Sequence, residues 1–405
     1  MSSTLISYSE SLHRAKQFLL SKDDWSEFLP SPLDESWRKV DLSGVNWLRI
    51  AELIRTGFGP KTESTIEGDY SITSDILDRL PEILGNEIEG ELPKPEHARS
   101  TTESFFRRDI FSLLNLGFSE PLTITAKQSD QRLTIRHNTD TELSLPSLVL
   151  RVPAEADVTV AEFYNGCQPN EAQLTSSANR ISCGHTVIIV EPGARLKYVQ
   201  FRNNRAGDLH FHHTRFVVDR DSYVEAGFIQ NGGLNGKSFF QSSVVGRGGE
   251  FYGRGLFAGR ENQVFQNEMG VQHLGNNTNS RLLYKTVMDD HSHSVFLGSL
   301  EIPFGVSKVD SYQLNQNLIL AQKARAESRP WLVIRAEDVS CEHGATVGDL
   351  DEDALFFLQS RGLPEDEARK LLIQGFLEEV LGEMALTDEE KESFRQTLSR
   401  IHSNA

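Results

Sequence analysis

Cysteine is scarce in this sequence. Only three of the 405 residues are cysteines, namely Cys167, Cys183 and Cys341, and no two of them have the CxxC spacing. So small and odd a number excludes a disulfide framework, and it excludes a four-cysteine zinc or iron–sulfur cage built by this chain alone. Unpaired cysteines are typical of a reducing compartment.

Positive charge and long apolar runs are scarce as well. The chain has 41 lysines and arginines against 58 aspartates and glutamates, a formal net charge of −17. Such a protein repels the phosphate backbone, so nucleic acid is not expected as a partner. No stretch approaches the roughly 18 apolar residues of a membrane span, and the first ten residues resemble no signal or transit peptide. These features predict a soluble, cytoplasmic protein that binds no membrane.

Proline is absent between Pro192 and Pro303, whereas 14 of the 30 glycines lie between Gly227 and Gly305. Glycine destabilises a helix interior by about 1 kcal/mol relative to alanine, so this region is a poor candidate for stacked helices. It suits β-strands joined by tight turns, where glycine takes positive φ and proline would remove hydrogen bonds of the ladder.

Turn signals recur at a regular spacing in the same region. The turns Pro192-Gly193, Arg220-Asp221 and Gly248-Gly249 follow runs of strand-forming residues at intervals of 28 residues. The next similar corner, Asp290-His291-Ser292, comes 43 residues later, which we interpret as two coils of about 21 or 22 residues. A period of this size without helical spacing favours a β-solenoid, and a β-sandwich with similar hairpin spacing is the alternative.

The segment before this region, residues 1–118, has a different character. It contains apolar residues at helical spacing, and several prolines interrupt them. The pattern predicts a loosely helical domain with an exposed linker.

The segment after it, residues 336–405, predicts three helices. The first covers 351–360, the second begins at Pro364, and the third begins after Thr387, whose partner Glu390 completes a capping box. The segment has 17 acidic and 6 basic residues, so it contributes −11 to the net charge. It is either a solvated helical bundle or a docking module, and its second helix has an apolar stripe formed by Ala368, Leu371, Leu372, Phe376, Val380 and Leu381.

Two histidine pairs are candidate halves of a metal site. They are His210 with His212 and His291 with His293. Side chains alternate along a strand, so each pair would place two imidazoles on one face. A cupin-type site also requires a glutamate shortly after the pair, and none follows His212 closely. The alternative interpretation is that the histidines of both pairs are solvent-facing polar residues.

A third candidate is the segment that contains Cys341 and His343. In an extended segment the thiol and the imidazole share one face, and both are ligands for soft or borderline metals. Two ligands cannot complete a four-coordinate site. A metal here therefore requires further ligands, either from elsewhere in this chain or from another chain. The alternative is a cysteine buried under a domain junction beside a histidine in a hinge.

Other chemical signatures are missing from the sequence. It contains neither the GxxxxGK[ST] pattern of a P-loop nor the GxSxG pattern of a nucleophile elbow. The sequence therefore predicts no self-contained active site.

The last third of the chain contains a distinctive ordered series of segments. They are SRLLYK at 280–285, VFLG at 295–298, YQLNQNL at 312–318, AEDVSCEHGATVG at 336–348 and LFFLQSRG at 355–362. The series resembles the SufB/SufD family of the SUF iron–sulfur cluster assembly system, and the likeness covers residues 145–380. Gly344, which stands where SufB has an acidic residue, favours the SufD branch.

The resemblance implies a mainly β fold, a right-handed parallel β-helix core (119–335) flanked by N-terminal (1–118) and C-terminal (336–405) helical domains. It implies a SufBCD complex in which this chain faces SufB, where a nascent iron–sulfur cluster assembles, and holds the ATPase SufC. The histidine of the C-x-H-G-A-T motif, His343, is the implied cluster ligand, shared with a SufB cysteine. Cys341 is a weaker candidate that could be a ligand, a persulfide acceptor or structural.

The resemblance also places SufC on the helices that follow the motif. The implied docking residues are Leu355, Phe356, Leu371, Leu372 and Phe376. This interpretation makes the chain a non-enzymatic assembly subunit, with flavin binding and self-association left open. Two alternatives remain: a stand-alone metal-dependent β-helix enzyme that uses the two His-x-His pairs, and a rigid clamp in which His343 is inert.

Overall fold

A computed structural model describes residues 16–21 except 18, then 40, 45, 47–55, 62–73, 110–128, 132–139, 141–165 and 180–399. The helices with described bounds are α1 (Trp47–Arg55), α2 (Ile110–Phe118), α3 (Glu352–Ser360), α4 (Glu365–Leu381) and α5 (Asp388–Ser399). The strands are β1 (Ser64–Glu67), β2 (Tyr70–Ile72), β3 (Leu122–Ala126), β4 (Leu133–Asn138), β5 (Leu143–Ser144), β6 (Ser147–Val152), β7 (Asp157–Asn165), β8 (Ile181–Val190), β9 (Arg195–Asn203), β10 (Leu209–Val218), β11 (Tyr223–Asn231), β12 (Asn235–Val244), β13 (Glu250–Gly259), β14 (Val264–His273), β15 (Asn279–Met288), β16 (His293–Ile302), β17 (Val309–Ile319), β18 (Arg325–Ile334) and β19 (Val339–Gly348).

The strands form two sheets that the chain visits in turn. Sheet A has the order β1-β4-β7-β9-β11-β13-β15-β17-β19, and sheet B has the order β18-β16-β14-β12-β10-β8-β6-β3-β2, with β5 beside β8. All pairings are parallel except β1 with β4 and β2 with β3. The result is a parallel β-solenoid of about seven turns with helices at its ends, so the predicted solenoid is confirmed and the sandwich alternative is wrong.

One coil of this solenoid contains one strand of each sheet. Tyr223 pairs with Arg195 on one side and with Glu250 on the other, so successive coils are 28 and 27 residues long. The interpretation of the 43-residue interval as two short coils is wrong. The interval runs from a corner before β13 in sheet A to a corner before β16 in sheet B, and it therefore spans one and a half coils.

The inner faces of both sheets form the main hydrophobic core, and helices cover parts of the outer faces. Helices α1 and α2 pack on the outer face of sheet B, where the Phe111 and Phe211 rings stack 3.6 Å apart. Helices α4 and α5 pack on the outer face of sheet A, where Leu377 and Val380 join a cluster with Val287 and Leu256. None of the described helices combines the length and the apolar character needed to cross a bilayer.

The flanking segments differ in part from the helical domains that were predicted. Strands β1 and β2 lie within 1–118 and extend the two sheets, and β19 lies within 336–405 and is the last strand of sheet A. The capping box is confirmed, because the Glu390 N–H donates to Thr387 Oγ1 while Thr387 N–H donates to Glu390 Oε2. Pro364 is the N-cap of α4 rather than its first residue. The three domain boundaries stay a prediction.

The corners of successive coils stack directly on one another through backbone hydrogen bonds. Asp221 N–H donates to Arg247 O over 3.0 Å, and Gly248 N–H donates to Asn276 O over 3.1 Å. At Gly246 the neighbouring coil comes so close that a Cβ atom would lie 1.9 Å from the Arg220 backbone nitrogen. Only glycine fits this position without a shift of the backbone.

Candidate functional site at the open end of the solenoid

The solenoid ends at two strands that are paired on one side only among the described residues. Strand β19 pairs with β17 in sheet A, and β18 pairs with β16 in sheet B. Their second edges therefore present unpaired backbone N–H and C=O groups. Trp331 and Ile334 on β18 and Val347 on β19 are exposed hydrophobic residues at this end.

His343 lies on β19 and faces the solenoid interior at this open end. Cys341 packs against the inner hydrophobic core, and alternation puts His343 on the same face two residues later. In the ladder Gln313 is the neighbour of His343 and Ser311 is the neighbour of Cys341. Gln313 is buried, whereas His343 is exposed because no further coil covers it in the part of the chain that the structure describes.

Cys341 is only partly exposed, in contrast to His343. Burial, with a contribution from the Asp310 charge, raises the pKa of its thiol to about 11. Beneath it, a chain of hydrogen bonds joins Ser311 to Ser280 over 2.7 Å and Ser280 to His273 over 2.9 Å. No group of three or more histidine, cysteine, aspartate or glutamate residues in the described part of the chain is placed to hold a metal ion.

The pair His210 and His212 lies on one face of β10, as predicted, but inside the solenoid. Both side chains are buried, and their rings stack with centroids 5.6 Å apart. Burial, with the nearby Arg202 charge, lowers the pKa of both imidazoles well below the ordinary value. The interpretation of this pair as solvent-facing is therefore wrong.

The second pair, His291 and His293, does not share a strand. His291 is exposed in the turn before β16, and β16 begins at His293. His293 Nε2 lies 3.1 Å from Glu327 Oε1 on the neighbouring strand β18. The prediction of two imidazoles on one strand face is wrong for this pair.

Sequence reasoning missed a buried polar cluster inside the solenoid, centred on Glu162 of β7. This carboxylate is 0% exposed. It accepts hydrogen bonds from His137, Tyr164, Thr186, Tyr198 and Gln200. Burial alone would raise its pKa, but the hydrogen bond and electrostatic attraction of His137, with the bonds from Tyr198 and Gln200, lower it to about 2. Polar residues at period two, such as Glu162 with Tyr164, are the signal that could have revealed it.

The predicted SufC-docking residues fall into two groups on α3 and α4. Phe356 is 71% exposed and Leu371 is 48% exposed, so they face away from the solenoid. Leu355 and Leu372 are half-buried. Phe376 is half-buried against the solenoid, where the Lys285 ammonium lies 4.3 Å from its ring centroid and donates to its carbonyl oxygen over 3.0 Å.

Comparison with known proteins matches the same region of the chain. Residues 135–376 fit the family model described as SUF system FeS cluster assembly, SufBD core domain. The chain is 28% identical over 246 residues to the Escherichia coli iron–sulfur cluster assembly protein SufD. This match covers 61% of this chain and 55% of that protein. The chain is 28% identical over 243 residues to a SufBD family protein of Synechocystis, covering 60% and 53%.

A third relative matches almost end to end. A SufBD family protein of Mycobacterium tuberculosis is 29% identical over 389 residues, which covers 93% of this chain and 90% of that protein. The matches to the Escherichia coli and Synechocystis proteins span about half the length of those relatives. The family model covers more than half of this chain, and the parallel β-solenoid agrees with the fold that the resemblance implied. The chain therefore belongs to the SufBD family of the SUF iron–sulfur cluster assembly system, as a SufD-like member.

Proposed function

We propose that this chain is the SufD-like subunit of a SufBCD complex and supplies His343 as a ligand to an iron–sulfur cluster that is being assembled. One observation carries the proposal: His343 is an exposed imidazole on the inward face of the last coil that the structure describes. An imidazole nitrogen is a good ligand for iron, but one or two donors cannot complete its coordination. The nascent cluster is cargo in this scheme, and SufB provides the remaining ligands.

The same end of the solenoid is suited to contact SufB. Unpaired strand edges are templates for a strand of another chain, and β18 and β19 both offer such an edge among the described residues. Exposed Trp331 and Val347 would add apolar area to this contact. Pairing there would place His343 inside the interface, where ligands from both chains can meet.

The first test is His343→Ala in a chain coexpressed with SufB and SufC. We expect the three proteins still to copurify, since an exposed side chain contributes little to folding, and we expect the iron and sulfide content to fall to background. The control is His291→Ala, which removes another exposed histidine in a turn far along the chain from β19. Iron content that stays stoichiometric in His343→Ala would overturn the proposal and favour an inert clamp.

SufC is proposed to dock on the exposed apolar face of α3 and α4. Three large apolar residues of this face, Phe356, Phe357 and Leu371, are exposed. Clustered exposed apolar side chains mark interaction sites. The buried residues of α4, such as Leu377, are already used against sheet A. We propose that Leu355 and Leu372 line the same face, and that Phe376 contributes mainly by holding α4 in place.

Phe356→Asp is expected to reduce copurification of SufC by tenfold or more while SufB still copurifies, because it removes an aromatic anchor and adds a charge. The measurement is the SufC-to-SufB ratio in purified complex. The matched control is Phe304→Asp, since Phe304 is 88% exposed at a corner of the solenoid. Equal SufC content in both variants would contradict docking on α3.

This proposal assigns the chain no catalysis of its own, and its location in the cytoplasm stays a prediction. The alternative of a metal enzyme built on the two histidine pairs is not favoured. His212 is enclosed in the solenoid interior, whereas His291 lies in an exposed turn.

A further inference from the structure

Gln313 is a buried side chain on β17 that lacks the hydrogen bonds its chemistry requires. It is 3% exposed, and neither its Nε2 nor its Oε1 has a partner among the described residues. A buried amide without partners costs free energy, because it gives up its bonds to water and receives none in return. Such a group in a folded protein calls for an explanation, and a role at a functional site is one of the known explanations.

The space that Gln313 occupies depends on a glycine across the solenoid interior. A Cβ atom at Gly298 of β16 would lie 1.7 Å from Gln313 Nε2. Any other residue at 298 would therefore force the carboxamide out of its place. Gly298 belongs to the distinctive segment VFLG, and Gln313 belongs to the distinctive segment YQLNQNL. Neither residue has a role in the function proposed above.

Gln313 is also the neighbour of His343 in the ladder of sheet A. The two are register partners on neighbouring parallel strands, and both face the solenoid interior. Neighbouring strands are about 4.8 Å apart, so a glutamine carboxamide can reach the imidazole of the next coil. Ser328 on β18 is a further half-buried residue near this end whose hydroxyl has no partner among the described residues.

We propose that Gln313 is a positioning residue for His343: its Oε1 accepts the imidazole N–H while the other ring nitrogen binds iron of the cargo. A histidine that binds metal normally donates its second N–H to a carboxylate or carbonyl oxygen, which fixes the tautomer and the ring orientation. Gln313 Oε1 is a free carbonyl acceptor placed one strand away. This inference rests on the proposed function of His343.

Gln313→Met tests the inference, because methionine has a similar length and shape but no hydrogen-bonding amide. In the isolated chain we expect the Tm to rise by about 1–3 °C, since the variant no longer buries an unsatisfied amide. In the complex with SufB and SufC we expect iron to be lost to a chelator 10- to 100-fold faster, which is the usual effect of removing such a partner. The two effects have opposite signs, and a merely structural role of Gln313 predicts neither.

Two further variants make the test specific. Gln313→Glu retains an acceptor oxygen and is expected to bring iron retention back to within about threefold of the original chain. Gln316→Met changes a glutamine on the opposite face of β17 and is expected to leave iron retention unchanged.

Two outcomes would overturn the inference. Iron retention that is unchanged in Gln313→Met would show that His343 does not need Gln313, and a Tm that falls would show that the amide stabilises the fold instead. His343→Ala separates this failure from that of the proposed function: a chain that needs His343 but not Gln313 keeps the proposed function and loses only this inference.

Discussion

Glu162→Gln is expected to lower the free energy of unfolding of this chain by about 3 kcal/mol, because several buried donors would lose the ionised acceptor that they surround. The carboxylate accepts five hydrogen bonds inside the solenoid. A glutamine has the same size, but its NH2 group would face donors such as Tyr198 and Gln200 where an acceptor is needed. Denaturant unfolding followed by circular dichroism measures the difference.

Glu225→Gln is the matched control for this variant. Glu225 lies on the outer side of β11, is half-buried, and accepts one hydrogen bond from Tyr223 over 2.6 Å. Its replacement is expected to cost about 1 kcal/mol or less. A loss of equal size in both variants would contradict the special role of the interior carboxylate.

The pH dependence of stability gives a second test of Glu162. Its pKa is lowered from an ordinary value of 4.5 to about 2 in the folded chain, so folding favours the ionised form. The resulting stabilisation is complete above pH 4.5 and is lost as the pH falls through 2. Glu162→Gln lacks this titration, so its stability is expected to fall less steeply than that of the original chain between pH 4.5 and 2.

Gly246→Ala is expected to lower the free energy of unfolding by about 3 kcal/mol, at the upper end of overpacking effects. The added Cβ would lie 1.9 Å from the Arg220 nitrogen and 2.4 Å from its Cα. These atoms belong to the backbone of the neighbouring corner, which is itself fixed by hydrogen bonds to the next coil. A side chain could rotate away from the added methyl group, but this backbone cannot.

Gly375→Ala is the opposite case and serves as the control. Gly375 is exposed within α4, and apart from its chain neighbours and the backbone of its own helix no described atom lies within 4 Å of the position its Cβ would take. Alanine is the better helix former there, so stability is expected to rise by about 1 kcal/mol. Destabilisation by both variants would mean that the clash at the corner does not explain the effect at Gly246.

Much of the fold was predictable from turn spacing. Turns 28 residues apart indicated the coil length, because each coil buries its inner face against the next and its strands stay in register even where the connections differ by a residue. The interval before Asp290 is ambiguous, because corners before strands of either sheet contain residues of the same turn-forming types. Sequence alone does not distinguish a full coil from one and a half coils.

The site was predictable only in its residues and not in its surroundings. The spacing of Cys341 and His343 gave their common face, since alternation is a local property of a strand. The exposure of His343 depends on β19 being the last of the described strands, and the position of the Gln313 amide depends on Gly298 in the opposite sheet. Neither relation is contained in any short segment of the chain.

The two ends of the solenoid are unequal, and this limits how copies of the chain can associate. At the N-terminal end, the antiparallel strands β1 and β2 are only four and three residues long, whereas β18 and β19 at the other end are each ten residues long. Two chains that joined through their long strand edges would bury both edges at once. Such an assembly closes as a two-fold pair, and the described strands offer only the short edges of β1 and β2 for growth into a filament.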